Sequence, residues 1–159
     1  MKKFTGNIFE DCSTIAMKHE RPVYFSSERG NWETPQDFFD KLNDEFGFTL
    51  DVCAEKHTAK CEKYYTKQDD ALTKKWNGVC WMNPPYGRQI GVWLKKAYET
   101  AQSGSMVVCL IPSRTDTKWW HNYVMKSSEI RFVKGRLKFD NHKNSAPFPS
   151  VVVVFESRK

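Results

Sequence analysis

Asn83-Pro84-Pro85-Tyr86 is the stretch whose residue types are best suited to chemistry. It follows the apolar run Val79-Cys-Trp-Met82, so an amide side chain would stand at the end of a strand with two prolines behind it. Each proline fixes φ and removes a backbone donor, while Asn offers both a carbonyl acceptor and an NH2 group. The product is a stiff loop rich in acceptors. Such a loop suits an amine whose lone pair is delocalised, as in the exocyclic N6 of adenine. Accepting hydrogen bonds from both of its N–H groups draws the nitrogen toward a tetrahedral, attacking geometry. Asn83 Oδ1 and the Pro84 carbonyl are the candidate acceptors, and Tyr86 could stack on a base extruded from a duplex. The plainer alternative is a proline-rich turn capped by Asn. Placement of the whole tetrapeptide directly after an apolar strand favours the chemical reading.

The elements that must position this loop can be read from periodicity. Five apolar, β-rich runs, Phe48 to Cys53, Gly78 to Met82, Met106 to Ile111, Ile130 to Val133 and Val151 to Phe155, predict strands. A helix is predicted after Trp32, with Thr34 as cap, Pro35 at its first position, Asp37 completing a capping pair and Gly47 ending it. Two more are predicted over Gln89 to Ser103, stopped by Gly104, and over about Asp116 to Met125. Near-continuous runs such as Met106-Val-Val-Cys-Leu-Ile111 are what strands covered on both faces look like, and the strand–helix alternation implies a mostly parallel α/β sheet. Ligands of such sheets lie beyond the carboxyl ends of the strands, which makes Asp51, Asn83 and Ile111-Pro112-Ser113 the places to compare.

A chain of 159 residues has room for one domain with a real core and not for a large separate recognition domain. Residues 1–31 show no sustained period and are expected to form an irregular arm or cap, with the domain proper at 32–159. Lys and Arg number 25 against 19 Asp and Glu, a net charge of +6, and that balance favours a polyanionic partner over a neutral metabolite. The scattered, odd set Cys12, Cys53, Cys61, Cys80 and Cys109 fits a reducing compartment. Cys53, His57 and Cys61 would share one face only if that stretch were helical, and without a CxxC pair or a fourth ligand no metal site is expected. No apolar run approaches membrane-spanning length, so a cytoplasmic protein is expected, in a bacterial host if the gene is phage- or prophage-borne.

In order along the chain, Trp32-Glu-Thr-Pro35, Leu50-Asp-Val-Cys-Ala54, Asp70-Ala-Leu72 with Trp76, Trp81-Met-Asn-Pro-Pro-Tyr-Gly87, Leu110-Ile-Pro-Ser-Arg-Thr-Asp116 with Trp119-Trp-His121, Gly135-Arg-Leu-Lys-Phe139 and Ala146-Pro-Phe-Pro-Ser150 resemble the phage-type DNA N-6-adenine methyltransferase (Dam) family. The Asn-Pro-Pro-Tyr element alone marks only the wider class of amino-methyltransferases. The ordered ensemble is far more specific. The resemblance implies a single Rossmann-like domain, S-adenosylmethionine as methyl donor and adenine in DNA as acceptor, with Asn83, Pro84, Pro85 and Tyr86 as the catalytic loop. It further implies cofactor roles for Asp51, Cys53 and Ala54 beside the methionine moiety, for Asp70 near the adenosine, and for Thr34 and Pro35 closing over the donor. One departure stands out. After Asp51 there is no glycine-rich turn, and the interval to Asp70 is too short for a helix, a strand and a second turn, so Asp69, Asp70 and Glu55 all remain candidates to hold the ribose. Asp51 taken alone reads equally well as a strand-end carboxylate satisfying local amides.

Two basic stretches are candidates for DNA contact. Ser113 to His121 brings Arg114 and Lys118 to a helix start beside two indoles, which could meet a phosphate or flank a base, or could equally be a capped amphipathic helix with its tryptophans in the core. Gly135 to Ser150 carries Arg136, Lys138, His142, Lys143 and Asn144 in a long loop of the kind that enters a DNA groove, or a solvated hairpin. Two other functions compete with the DNA reading: methylation of an RNA base or a protein glutamine, and a basic DNA-binding module without turnover.

Overall fold

The computed structural model describes residues 31–157. The expected arm at 1–31 therefore lies, apart from Asn31, outside the described residues. Helix α1 spans Gln36–Phe46, strand β1 Leu50–Asp51, β2 Val79–Met82, helix α2 Ile90–Gln102, β3 Met106–Pro112, helix α3 Lys118–Asn122, β4 Glu129–Phe132 and β5 Ser150–Phe155. The strands form one sheet in the order β1-β2-β3-β5-β4. β1, β2 and β3 run parallel, β5 is antiparallel to both β3 and β4, and so four of the five strands point the same way. This is the mostly parallel α/β sheet expected from the apolar runs.

The core follows the same runs. Val107 to Ile111 are fully buried and Val151 to Phe155 nearly so, because β3 and β5 sit inside the sheet. At a transfer value of about 25 cal/mol per Å² of apolar area, such double-sided burial is the main drive to fold. α1 buries Phe39 and Leu42, and the Phe39 ring meets Trp81 of β2 edge-on at 5.5 Å. Gly47 closes that helix in the left-handed region (φ 66°), its N–H donating to the Asn43 carbonyl at 2.8 Å. The helix start differs from expectation. Pro35 occupies the capping position and Thr34 and Asp37 make no cap, because the Thr34 hydroxyl is engaged with Asn83 instead. The third helix is also shorter than expected: it ends at Asn122, where Tyr123 turns to φ −126°, and a 3-10 turn over Val124–Lys126 follows.

Between β1 and β2 the chain makes turns, a single parallel bridge from Tyr64 to Asp51 and two 3-10 helices, Lys67–Asp69 and Ala71–Thr73, with no α-helix. Cys53, His57 and Cys61 are thus not on a common helical face. No helix among the described residues is long and apolar enough to cross a membrane.

Candidate active site

A cavity of about 950 Å³ opens over the carboxyl ends of β1 and β2. Asp51, Cys53, Ala54, Asp70, Thr34, Asn83, Pro84 and Pro85, taken from four separate stretches of sequence, all reach its wall. The third strand end, Ile111 to Ser113, does not.

Asn83 stands just past β2 and is half buried. Its Nδ2 donates to the Trp32 carbonyl and to Thr34 Oγ1, the latter at 2.9 Å. A carbonyl can only accept, so the atom facing Trp32 must be the nitrogen, and the amide orientation is settled by its partners. Both N–H groups are then used. Oδ1 is left buried and without a hydrogen-bond partner among the described residues. A buried acceptor in that state costs about 1–3 kcal/mol, and such exceptions in native proteins call for a reason, a catalytic role or a bound water or ion among them.

Tyr86 is placed otherwise than the stacking expectation requires. Its ring is 7% exposed, it does not line the cavity, and it sits edge-on to Phe148 and Phe139 at 5.5 and 6.3 Å. The hydroxyl donates to the Leu110 carbonyl of β3 at 2.9 Å. Burial holds the phenol well above its usual pKa, so it stays a donor. In this conformation Tyr86 anchors the loop to the sheet and offers no free face to a base.

The Asp51 carboxylate accepts from the backbone N–H of Cys53 at 3.1 Å and of Lys60 at 3.0 Å, drawing residues 53–60 into a turn on the cavity rim. The local-amide reading of Asp51 therefore holds, in a residue that also lines the cavity. Burial raises its pKa, and the two backbone bonds and the Lys60 charge counter only part of that. A raised folded-state value means that the folded protein binds this proton more tightly than the unfolded chain. The contribution is fully present below the unfolded value, near 3.8, and is lost as pH rises through the raised one. The stability of the parent minus that of Asp51→Asn should accordingly fall with rising pH in that window and then level off. Chemical denaturation at a series of pH values measures it, and a difference independent of pH would show that Asp51 titrates normally. Burial, with the Asp51 charge adding to it, also pushes the Cys53 thiol well above its ordinary range, so Cys53 lines the cavity as a neutral thiol.

Among the acidic candidates, Asp69 is committed: Thr66 donates to its Oδ2 from both backbone and hydroxyl at 2.8 Å, and it is absent from the cavity wall. Asp70 and Glu55 both line the wall. Asp70 lies at φ 49°, the single non-glycine residue at positive φ among those described, at the joint between the two 3-10 turns. That conformation is tolerated best by Asn and Asp.

Trp120 is buried and Trp119 packs against the core; neither lines the cavity, so the Ser113 to His121 segment takes the packed reading for its indoles. Lys118, Arg136, Lys138 and Lys143 are exposed, and Arg114 is half buried. Residues that sequence reasoning did not place at the site include Trp32, Lys60, Trp93 and Asn141 on the wall. Trp32 had one signal, its position beside Thr34-Pro35. Nothing in the local sequence pattern marks the others.

A cavity over the carboxyl ends of adjacent parallel strands, bordered by a rigid loop with an unpaired acceptor, places the chain among α/β proteins whose ligands sit at the strand ends. The chain belongs to the DNA N-6-adenine-methyltransferase (Dam) family, whose profile matches residues 24–157. It is 30% identical over 141 residues to the DNA N-6-adenine-methyltransferase of Haemophilus phage HP1 (strain HP1c1), a match covering 83% of this chain and 82% of that protein. It is also 30% identical over 115 residues to the DNA N-6-adenine-methyltransferase of Escherichia phage T1, covering 70% of this chain and 48% of that one.

Proposed function

We propose that the protein is a DNA adenine N6-methyltransferase of Rossmann-like fold, with S-adenosylmethionine as donor and Asn83 as the residue that holds the target amine. The observation that carries this reading is the buried Oδ1 of Asn83, an acceptor at the mouth of β2 that no donor among the described residues reaches. An amine N–H supplies what it lacks. Family membership indicates which amine. The cavity volume lies at the upper end of the roughly 300–1,000 Å³ typical of ligand pockets, room for a nucleoside-sized donor with a flipped base beside it.

The residues present fit that donor. Asp51 fixes the 53–60 turn that would meet the methionine end, Asp70 or Glu55 offers a carboxylate to ribose hydroxyls, and Trp93 and Tyr65 supply apolar wall. S-adenosylmethionine, when bound, supplies a methyl group on a positively charged sulfur. The chain's own work is orientation. Asn83 Oδ1 and the Pro84 carbonyl accept the two N–H groups of N6, turning its lone pair out of the ring plane, and Pro84 and Pro85 keep that geometry from relaxing. Thr34 borders the donor side, whereas Pro35, buried at the start of α1, does not reach the cavity wall.

DNA would meet the exposed Arg136, Lys138 and Lys143 of the 135–150 loop, with Arg114 and Lys118 on a second patch. Incubation with labelled donor and adenine-containing DNA, RNA or a glutamine-bearing protein tests the reading. Label in N6-methyladenine of DNA alone is expected, and label confined to RNA or protein would refute it. Affinity for DNA should fall steeply with salt, and neutralising Arg136 and Lys138 together should lower the slope by about one for each phosphate that the two side chains pair with.

A further inference from the structure

An Asn side chain can rotate its amide by half a turn at little steric cost, and the two orientations differ only in which atom faces which partner. At Asn83 that difference is decisive. One orientation presents an acceptor to the amine and the other presents a second donor, which repels it. Of the two groups among the described residues that receive Nδ2, the Thr34 hydroxyl can donate as well as accept and so cannot discriminate. The Trp32 carbonyl can only accept, and it alone enforces the productive orientation.

What holds the Trp32 carbonyl in place comes from the far end of the chain. Asn141 Oδ1 accepts from the Glu33 backbone N–H at 3.1 Å, and its Nδ2 donates to the Asn31 carbonyl at 2.8 Å, so one side chain grips the backbone on both sides of Trp32. The Asp140 N–H donates to the Glu33 carbonyl at 3.0 Å and keeps the two segments in register. The Trp32 ring is stacked on His142 at 3.9 Å with 15° between the planes, and meets Phe148 and Phe139 edge-on at 4.9 and 5.2 Å. Asn141 itself is exposed and contributes nothing to the core.

We infer that Asn141 is a positioning residue for methyl transfer, acting on the Asn83 amide by clamping the backbone that carries the Trp32 carbonyl. The inference rests on the reading of Asn83 given above. Since Asn141 belongs to the 135–150 loop, the loop that would meet DNA also sets the acceptor that would meet the base.

Asn141→Ala should lower the single-turnover methylation rate about tenfold with saturating donor, because small misplacements of an orienting group are costly. Thermal stability should change little, as expected for an exposed side chain. Asn141→Asp keeps the acceptor for Glu33 and loses the donor to Asn31, and should fall between Ala and the parent. A second readout needs no turnover: the side-chain NH2 resonances of Asn83, identified by their loss in Asn83→Asp, should exchange with solvent about tenfold faster in Asn141→Ala. Unchanged Asn83 resonances would overturn the inference whatever the rates do. Altered resonances with a parental rate would overturn it too, leaving a clamp with no part in the reaction. If the parent methylates nothing, the functional reading fails by itself, and the resonances still decide whether Asn141 controls Asn83.

Discussion

Asn83→Ala should reduce methyl transfer to DNA about a hundred- to a thousandfold, the usual cost of deleting one preorganised polar group at a reacting centre. The loss should fall more on the rate than on donor binding, since the amide orients the amine and its one side-chain bond on the expected donor side is to the Thr34 hydroxyl. The fold should survive. Truncation leaves the buried Thr34 hydroxyl and the Trp32 carbonyl without their donor, a penalty of about 1–3 kcal/mol, partly offset by removing an Oδ1 that no donor among the described residues satisfies. Asn83→Asp should land between Ala and the parent: it keeps an acceptor of the same reach but turns a carboxylate oxygen toward the Trp32 carbonyl where an N–H had been. Single-turnover rates at saturating donor, with calorimetry for donor affinity, measure both effects. Parental rates in Asn83→Ala would remove the loop from the chemistry.

Tyr86 should show its effect in stability first. Tyr86→Ala empties a buried aromatic site against Phe139 and Phe148 and should cost about 3–5 kcal/mol, enough to unfold a marginal domain. Tyr86→Phe keeps the ring packing and loses only the bond to the Leu110 carbonyl, so about 1–2 kcal/mol and a lower melting temperature by a few degrees are expected. If the ring works only as an anchor, the Phe variant should methylate at close to the parental rate below its melting temperature. A Phe variant of parental stability but much reduced rate would instead give the hydroxyl a part in the reaction. Denaturant titration alongside single-turnover kinetics separates the two.

The contrast between these residues shows what the sequence could and could not disclose. The strands were legible because Met106 to Ile111 and Val151 to Phe155 are apolar at every position, a pattern that double-sided burial requires. Gly47 was legible because only a residue at ease with positive φ closes a helix that way. The loop at Asn83 was legible because its rigidity comes from its own prolines. Thr34 misled for a definite reason: a Thr before Pro at a helix start is a cap by local chemistry, and a partner 49 residues away took its hydroxyl. Tyr86 was ambiguous in a related way, since stacking and anchoring call for the same ring and only the neighbours at 139 and 148 show how it is packed. Asn141 left no trace at all. Its two bonds span 108 and 110 residues, and no periodicity or spacing rule reports on a bond of that range.

The antiparallel strand also has a bearing on how the protein is made. β5 lies between β3 and β4, pairing Val107 with Phe155 on one side and Glu129 with Val154 on the other. During translation β3 and β4 leave the ribosome well before residues 150–155 do, and they share no ladder with each other. Until β5 emerges, the nascent chain carries an open, wholly apolar β3 edge, the kind of surface on which unfinished sheets stick to one another. The inner half of this sheet therefore closes late, and crowding among neighbouring ribosomes is a hazard built into its topology.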